Sequence, residues 1–119
     1  MDEQNQIDRM LLDYIDENRD QLVEHVRQMV RIDSVEREAR DGAPFGPGVK
    51  KALDLALSIS RDMGFETVDL DGYIGYAFYG RGEYYVCAMG HVDVVPAGEG
   101  WKEPPFNGHM ANGVIYKIG

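Results

Sequence analysis

A chain of 119 residues is long enough for one small domain, and its 44% hydrophobic and 10% aromatic residues exclude a wholly disordered protein. The net charge of −9, from 21 acidic residues against 12 lysines and arginines, argues against nucleic acid and anionic membranes as partners, because phosphate binding needs clustered cations. The single cysteine, Cys87, excludes an intramolecular disulfide and a cysteine-based zinc cluster, and we expect it to be a buried strand residue.

The N-terminus and the hydropathy pattern bear on location. The first six residues lack the basic start and apolar centre of a signal peptide. No window approaches the roughly 18 apolar residues of a membrane span. A cytoplasmic protein is therefore expected.

Two consecutive amphipathic helices are predicted near the N-terminus, over residues 4–17 and 19–31. Their apolar residues recur at the three- and four-residue spacing that lines one helix face. Asn18 is predicted to cap the second helix, and one helix broken at Asn18 is the alternative. His25 falls off the apolar face and is expected in solvent. The apolar face of the first helix consists of Ile7, Met10, Leu11, Tyr14 and Ile15.

Helical periodicity stops over residues 33–48, which are first charged and then rich in glycine and proline. Loops of this length in compact domains are often functional, and Phe45 is expected to pin this one to the body. A third helix is predicted to follow, with Pro47 at its start and Gly64 as its C-cap.

Strands are predicted after the helices. Asp71-Gly72 between two β-prone runs, 65–70 and 73–79, predicts a hairpin. The uninterrupted apolar run 84–89 predicts a third and most buried strand, and residues 114–116 predict a short fourth one. Helices followed by strands predict an α/β fold in which N-terminal helices pack on a mixed β-sheet.

The residues with the clearest chemistry follow the third predicted strand. Gly90 ends the apolar run, and His91 and Asp93 come directly after it. Because side chains alternate along an extended chain, both are expected to point into one cleft. One imidazole nitrogen could then bind Zn²⁺ while Asp93 holds the other. A structural histidine with satisfied hydrogen bonds is the alternative, because His-x-Asp occurs by chance in many sheets.

The longer string around this pair is more specific. Residues 90–98, Gly100-Trp101, Pro105-Phe106 and residues 112–116 together resemble the aminoacylase/carboxypeptidase family of dinuclear zinc peptidases, and within it the PepV-like bacterial dipeptidases. The likeness extends upstream through residues 29–34 and 44–53, so it covers nearly the whole chain. It implies that residues 1–119 are the N-terminal portion of a single metallopeptidase catalytic domain that has three layers, a sheet between two layers of helices (αβα).

The resemblance also implies roles for individual residues. His91 would be a terminal ligand of one of two Zn²⁺ ions, and Asp93 would be the catalytic-site carboxylate that holds the imidazole in place. The implied reaction is hydrolysis of a dipeptide by a metal-activated water, with a glutamate as general base. Trp101 and Phe106 are expected to pin their loop and, by resemblance, to wall the cleft.

Other polar residues of this region are not expected to act. Glu99, Glu103 and His109 match no ligand position of the family, and we expect all three at the surface.

The sequence departs from the family after Tyr116. The family continues with Tyr-Gly-Arg-Gly, whereas this chain has Tyr116-Lys117-Ile118-Gly119. The bridging aspartate, the general base, the lid domain and the C-terminal half therefore have no counterpart in these residues. The chain alone is predicted to be inactive, and an unfinished sheet is predicted to favour self-association. The alternatives are a non-catalytic remnant or accessory chain, and an N-acyl-amino-acid amidohydrolase of the same family.

Overall fold

The structure is a computed structural model that describes residues 2–118. Within them, three helices precede two short antiparallel hairpins. The elements are α1 (Glu3–Glu17), α2 (Arg19–Val30), α3 (Pro47–Asp62), β1 (Glu66–Leu70), β2 (Ile74–Phe78), β3 (Met110–Ala111) and β4 (Val114–Ile115).

The predicted α/β class is confirmed, but the strands are arranged differently from one mixed sheet. β1 pairs only with β2 and β3 only with β4 among the described residues, and both pairings are antiparallel. Parallel pairing is limited, in that part of the chain, to an isolated bridge between Val35 and Val94. The two hairpins stay separate because the run 84–89 does not form the strand expected between them.

The first two helices have the predicted bounds to within one residue. Asn18 separates them and takes the predicted N-cap position of α2, but its side chain makes no capping hydrogen bond to that helix. Its side-chain amide instead donates a 2.8 Å hydrogen bond to the carbonyl of Tyr14, so it caps the C-terminal end of α1. No residue of α1 is buried, and its whole apolar face is exposed. This face has no covering element among residues 2–118.

The small core forms where α3 packs on the first hairpin. Gly75 lies against Leu53 and Leu57, and a Cβ at this glycine would be 2.9 Å from the Leu53 Cδ1. The missing side chain therefore lets β2 lie directly on the helix. The α3 ends are as predicted, with Pro47 in the first turn and Gly64 after the C-cap in a left-handed conformation. The buried apolar side chains are Ile32, Ala43, Val49, Ala52, Leu53, Leu57 and Ile118.

The long loop before α3 is held at two points, one in its charged part and one in its glycine- and proline-rich part. Arg37 forms a two-pronged ion pair with Asp33, at 2.9 and 3.0 Å, and this hydrogen bonding lowers the pKa of the Asp33 carboxyl. The Phe45 ring packs edge-on against Tyr73, with centroids 5.6 Å apart. The prediction that Phe45 pins the loop to the body is thus confirmed.

Lys50 ties α3 to the first hairpin. Its ammonium contacts the carboxylates of Asp54 and Asp69, the latter at 2.8 Å. The hydrogen bonds that its ammonium donates to Asp54 and Asp69 raise the pKa of Lys50. The hydrogen bond from Lys50, helped by the Gly72 N–H, lowers the pKa of Asp69.

We predict that Lys50→Met lowers the melting temperature at pH 7 and that this difference nearly disappears at about pH 2. A carboxyl whose pKa is lowered by folding stabilises the fold above its unfolded pKa of about 3.9 and loses that effect as the pH falls through its folded pKa. The raised pKa of Lys50 acts in the opposite direction, so its contribution is complete below about pH 10.4 and is lost above it. Thermal denaturation followed by circular dichroism at several pH values measures the difference. The same change at the exposed neighbour Lys51 is the control, and an equal effect there would contradict the prediction.

The prediction of a buried third strand at residues 84–89 is wrong. The segment has neither helical structure nor strand pairing, and every one of its residues is exposed. Cys87, predicted to be buried, is exposed as well. An apolar run becomes a strand only when a neighbouring strand supplies hydrogen bonds, and none of the described residues does so here. The fourth strand, by contrast, is confirmed at Val114–Ile115.

Candidate functional site: a histidine–aspartate pair between two cavities

The chain that carries the His–Asp pair is held to the body just after it. The backbone N–H of Val94 donates a 3.1 Å hydrogen bond to the carbonyl of Ser34, which is itself 2% exposed. The Ser34 segment is in turn held against the start of α3, where Gly48 touches the Asp33 carbonyl. The loop before α3 therefore serves as the platform for the pair.

His91 and Asp93 lie together, as the alternation along the chain predicts. The Nδ1 of His91 is 3.2 Å from the Asp93 carboxylate and 2.9 Å from the Asp93 backbone oxygen. Both oxygens are acceptors when the carboxylate is ionised, so Nδ1 must carry the proton and donate. The Nε2 of the neutral ring then has its lone pair free. This is the tautomer that a histidine needs in order to bind a metal ion through Nε2.

The pair stands between two cavities. One has a volume of about 500 Å³ and an apolar floor made by α3 and β2, and the other has a volume of about 320 Å³ and lies beside α2. His91 and Asp93 line both. The histidine and aspartate side chains are still 74% and 55% exposed, so the pair is open to solvent.

The aromatic residues of the following loop are partly where they were predicted. Phe106 lines the smaller cavity together with His91, which agrees with a place in the wall of the cleft. Trp101 donates a 2.8 Å hydrogen bond from Nε1 to the carbonyl of Ala97, so it closes its own loop. Trp101 does not line either of the cavities beside His91.

The remaining predicted surface residues divide into two groups. Glu99 and Glu103 are exposed, as predicted. His109 is half-buried, because its ring packs on Tyr116 with centroids 5.6 Å apart. His25, also predicted in solvent, is half-buried, and its Nδ1 has no hydrogen-bond partner among residues 2–118. Helical periodicity misplaces His25 because it describes one helix and not what packs beside it.

Sequence reasoning did not single out two contributors to the site. Glu36 lines the larger cavity with His91, but one acid in a charged run gives no signal of its direction. Ser34 supplies the carbonyl that anchors the chain after Asp93. The only sequence signal for this contact is the Ile32-Asp33-Ser34 turn at the end of α2.

The residues present fit one zinc ligand and do not fit a complete zinc site. Among the described residues, no group of three or more histidine, cysteine, aspartate or glutamate side chains could hold a metal ion. A catalytic zinc takes about three protein ligands and a water. His91 could be one of these ligands, with Asp93 as the carboxylate behind it.

The fold and the site together define a small α/β unit that presents an oriented, metal-competent histidine at a cavity edge. No family model matches the chain. It is 39% identical over 103 residues to a Bacillus subtilis protein named "Putative dipeptidase YtjP". The aligned residues make up 85% of this chain and 22% of that protein. A Staphylococcus haemolyticus protein named "Putative dipeptidase SH1171" is 36% identical over 107 residues, which make up 88% of this chain and 23% of that protein.

A third relative comes from Staphylococcus aureus (strain USA300) and is named "Putative dipeptidase SAUSA300_1697". It is 38% identical over 94 residues, which make up 77% of this chain and 20% of that protein. The chain thus spans about a fifth of the length of the curated relatives that it matches.

None of the described helices has the length and apolar character needed to cross a membrane.

Proposed function

We propose that this chain supplies part of the active site of a zinc-dependent dipeptidase, with His91 as a ligand of one zinc ion. The observation that carries the proposal is the contact between His91 Nδ1 and Asp93, which leaves Nε2 free. Three relatives that share between 36% and 39% of the aligned residues and carry a dipeptidase name support it.

The two residues have separate roles in this proposal. His91 holds the metal through Nε2, and Asp93 fixes the ring and stabilises the positive charge that the imidazole gains on binding. When bound, zinc supplies a polarised carbonyl and a nucleophilic water for peptide hydrolysis. The cavity of about 500 Å³ beside the pair, with its apolar floor, has the size and lining of a small-molecule site and would accommodate a dipeptide side chain.

We also propose that residues 1–119 alone do not hydrolyse dipeptides. One ligand with one supporting carboxylate is too few for a catalytic zinc, and residues 2–118 provide no larger cluster. A non-catalytic accessory chain is the second candidate function. An amidohydrolase acting on N-acyl amino acids is a third, and it would use the same pair. The cytoplasmic location stays a prediction from the sequence.

A chimera tests the proposal. The 103 residues of the Bacillus relative that match this chain are replaced by the corresponding residues of this chain, and hydrolysis of dipeptides and of N-acetyl amino acids is measured with the unaltered relative beside it. We expect the chimera to hydrolyse dipeptides, to bind zinc, and to lose both on chelation. The isolated chain is expected to do neither at micromolar zinc.

The outcomes separate the three candidates. A folded chimera that is inactive while the unaltered relative cleaves dipeptides would favour the accessory chain. Preference of the chimera for N-acetyl amino acids would favour the amidohydrolase. Stoichiometric zinc and turnover in the isolated chain would contradict the incomplete site.

A further inference from the structure

Residues 84–89 form an unusual surface segment, here called the free strand. It is apolar, it carries no charge, and all of it is exposed to solvent outside any helix or sheet. Tyr84, Val86 and Met89 are 93%, 101% and 92% exposed. No backbone N–H of the free strand donates a hydrogen bond to another described residue. Segments of this composition with unpaired backbone groups are templates for pairing with another chain.

The same molecule has an unfilled place for such a strand. The cavity of about 500 Å³ runs along β2, with Ile74, Gly75, Tyr76 and Ala77 on one side and the apolar face of α3 as its floor, and residues 90–93 also line it. No β1 residue lines it. Since β2 pairs only with β1 within residues 2–118, the cavity lies at the unpaired edge of β2. We call it the β2 groove.

The free strand does not fill the groove of its own molecule. Only residues 79–83 separate it from the end of β2, and glycines at 80 and 82 in this link adopt positive φ values of 82° and 156°. The link leads the chain into solvent, where all of residues 79–90 are exposed. Within residues 2–118, the free strand and the outer edge of β2 therefore both lack strand partners, although residues 90–93, which follow the free strand, line the groove.

We propose that two copies of this chain associate by reciprocal strand addition, the free strand of each entering the β2 groove of the other. Strand addition gives hydrogen-bond partners to both unpaired backbones, while the alternating side chains cover the apolar floor of α3. Reciprocal exchange closes the assembly as a twofold dimer and leaves no further groove open. The occupant is a second copy because this chain itself carries the matching strand.

Charge sets the conditions under which the dimer forms. The net charge of −9 on each copy opposes association at long range, whereas the free strand is uncharged. Salt screens repulsion between exposed charges over about 10 Å at 0.1 M. Dimerisation therefore strengthens as the ionic strength rises. The partner's strand would fill the same cavity in which a dipeptide is proposed to bind, so the two occupants exclude each other there. The mass of the chain is measured without zinc or substrate, so the dimer and the dipeptidase proposal can fail separately.

The test is the mass of the full chain in solution, by light scattering after gel filtration and by sedimentation, with reductant present so that the exposed Cys87 forms no disulfide. Val86→Lys places a charge in the free strand, and Ile74→Lys places one beside the groove. Each is expected to weaken dimerisation at least tenfold. Met10→Lys, on the α1 surface where that side chain is 71% exposed, is the matched control and is expected to leave the dimer intact.

A mixture of the strand variant, Val86→Lys, and the groove variant, Ile74→Lys, gives a second test. Val86→Lys retains an unaltered groove and Ile74→Lys an unaltered strand, so the mixture is expected to form a heterodimer through one pairing. Circular dichroism checks that both variants keep their helices, and Val86 touches nothing that folding of the monomer needs, since it is fully exposed.

Any of four results in the single chains would overturn the proposal, and a fifth comes from comparing the two lysine variants. The four are a monomeric parent chain at all concentrations and salt levels, a dimer that survives Val86→Lys, a dimer lost in Met10→Lys, and assemblies that grow beyond two copies. Loss in Val86→Lys without loss in Ile74→Lys would also overturn it, because the free strand would then pair with itself and not with the groove.

Discussion

Replacing His91 with alanine in the chimera is expected to reduce dipeptide hydrolysis by more than about 100-fold and to remove one zinc ion per molecule. The reason is that Nε2 of this ring is the metal-binding atom in the proposed site, with Nδ1 held by Asp93. Residues behind a metal ligand typically change affinity or activity by about 10–100-fold, and loss of the ligand itself exceeds that. Zinc analysis by mass spectrometry and steady-state hydrolysis measure the two effects.

Asp93→Asn separates orientation from ligation. The amide oxygen can still accept from Nδ1, but its negative charge is gone. We expect a loss of about 10–100-fold in activity and weaker zinc binding, with the metal still able to saturate the site. His109→Ala is the matched control, because this histidine packs on Tyr116 and has no part in the proposed site. Full zinc content and an unchanged rate in His91→Ala would exclude the ligand role.

Gly48→Ala is expected to destabilise the fold by about 1–3 kcal/mol. A Cβ at this position would overlap the Asp33 carbonyl oxygen and come within 3.1 Å of its carbonyl carbon. Within a helix, alanine is otherwise favoured over glycine by about 1 kcal/mol, so the helical preference and the steric overlap oppose each other. We expect the overlap to win, because the atom in the way is backbone and not the end of a flexible side chain.

The measurement is a denaturant titration in the Val86→Lys background, so that association does not contribute to stability. Gly90→Ala is the control, because a Cβ at Gly90 would meet nothing within 4 Å. A stabilised Gly48→Ala variant would show that the Asp33 segment shifts freely. It would then also remove the argument that the loop before α3 is a rigid platform for Val94 and the His–Asp pair.

The parts of the fold that sequence predicted are those governed by neighbours in the chain. The helix bounds, the left-handed Gly64 just after the C-cap of α3 and the Asp71-Gly72 hairpin each depend on the conformational preferences of a few adjacent residues. The contact between His91 and Asp93 belongs with them, because two side chains two residues apart on an extended chain lie on one side.

The free strand shows where this reasoning stops. Its six residues have the composition of a buried strand, yet all are exposed. Burial and pairing depend on which other segments come alongside, and composition carries no information about that. The same applies to His25 and to the apolar face of α1, whose surroundings come from residues distant in the chain.

Local sequence patterns were enough to predict the helices, the first hairpin and the contact of His91 with Asp93, and the likeness to dipeptidases agrees with the names of the relatives. The three-dimensional arrangement was needed to see that Ser34 anchors the chain at Val94, that the pair stands between two cavities, and that the free strand and the outer edge of β2 lack strand partners within residues 2–118. The physical reason is range. Backbone preferences and side-chain alternation act over a few residues, whereas cavities and hydrogen-bond partners arise only when segments far apart in the chain, such as Ser34 and Val94, meet.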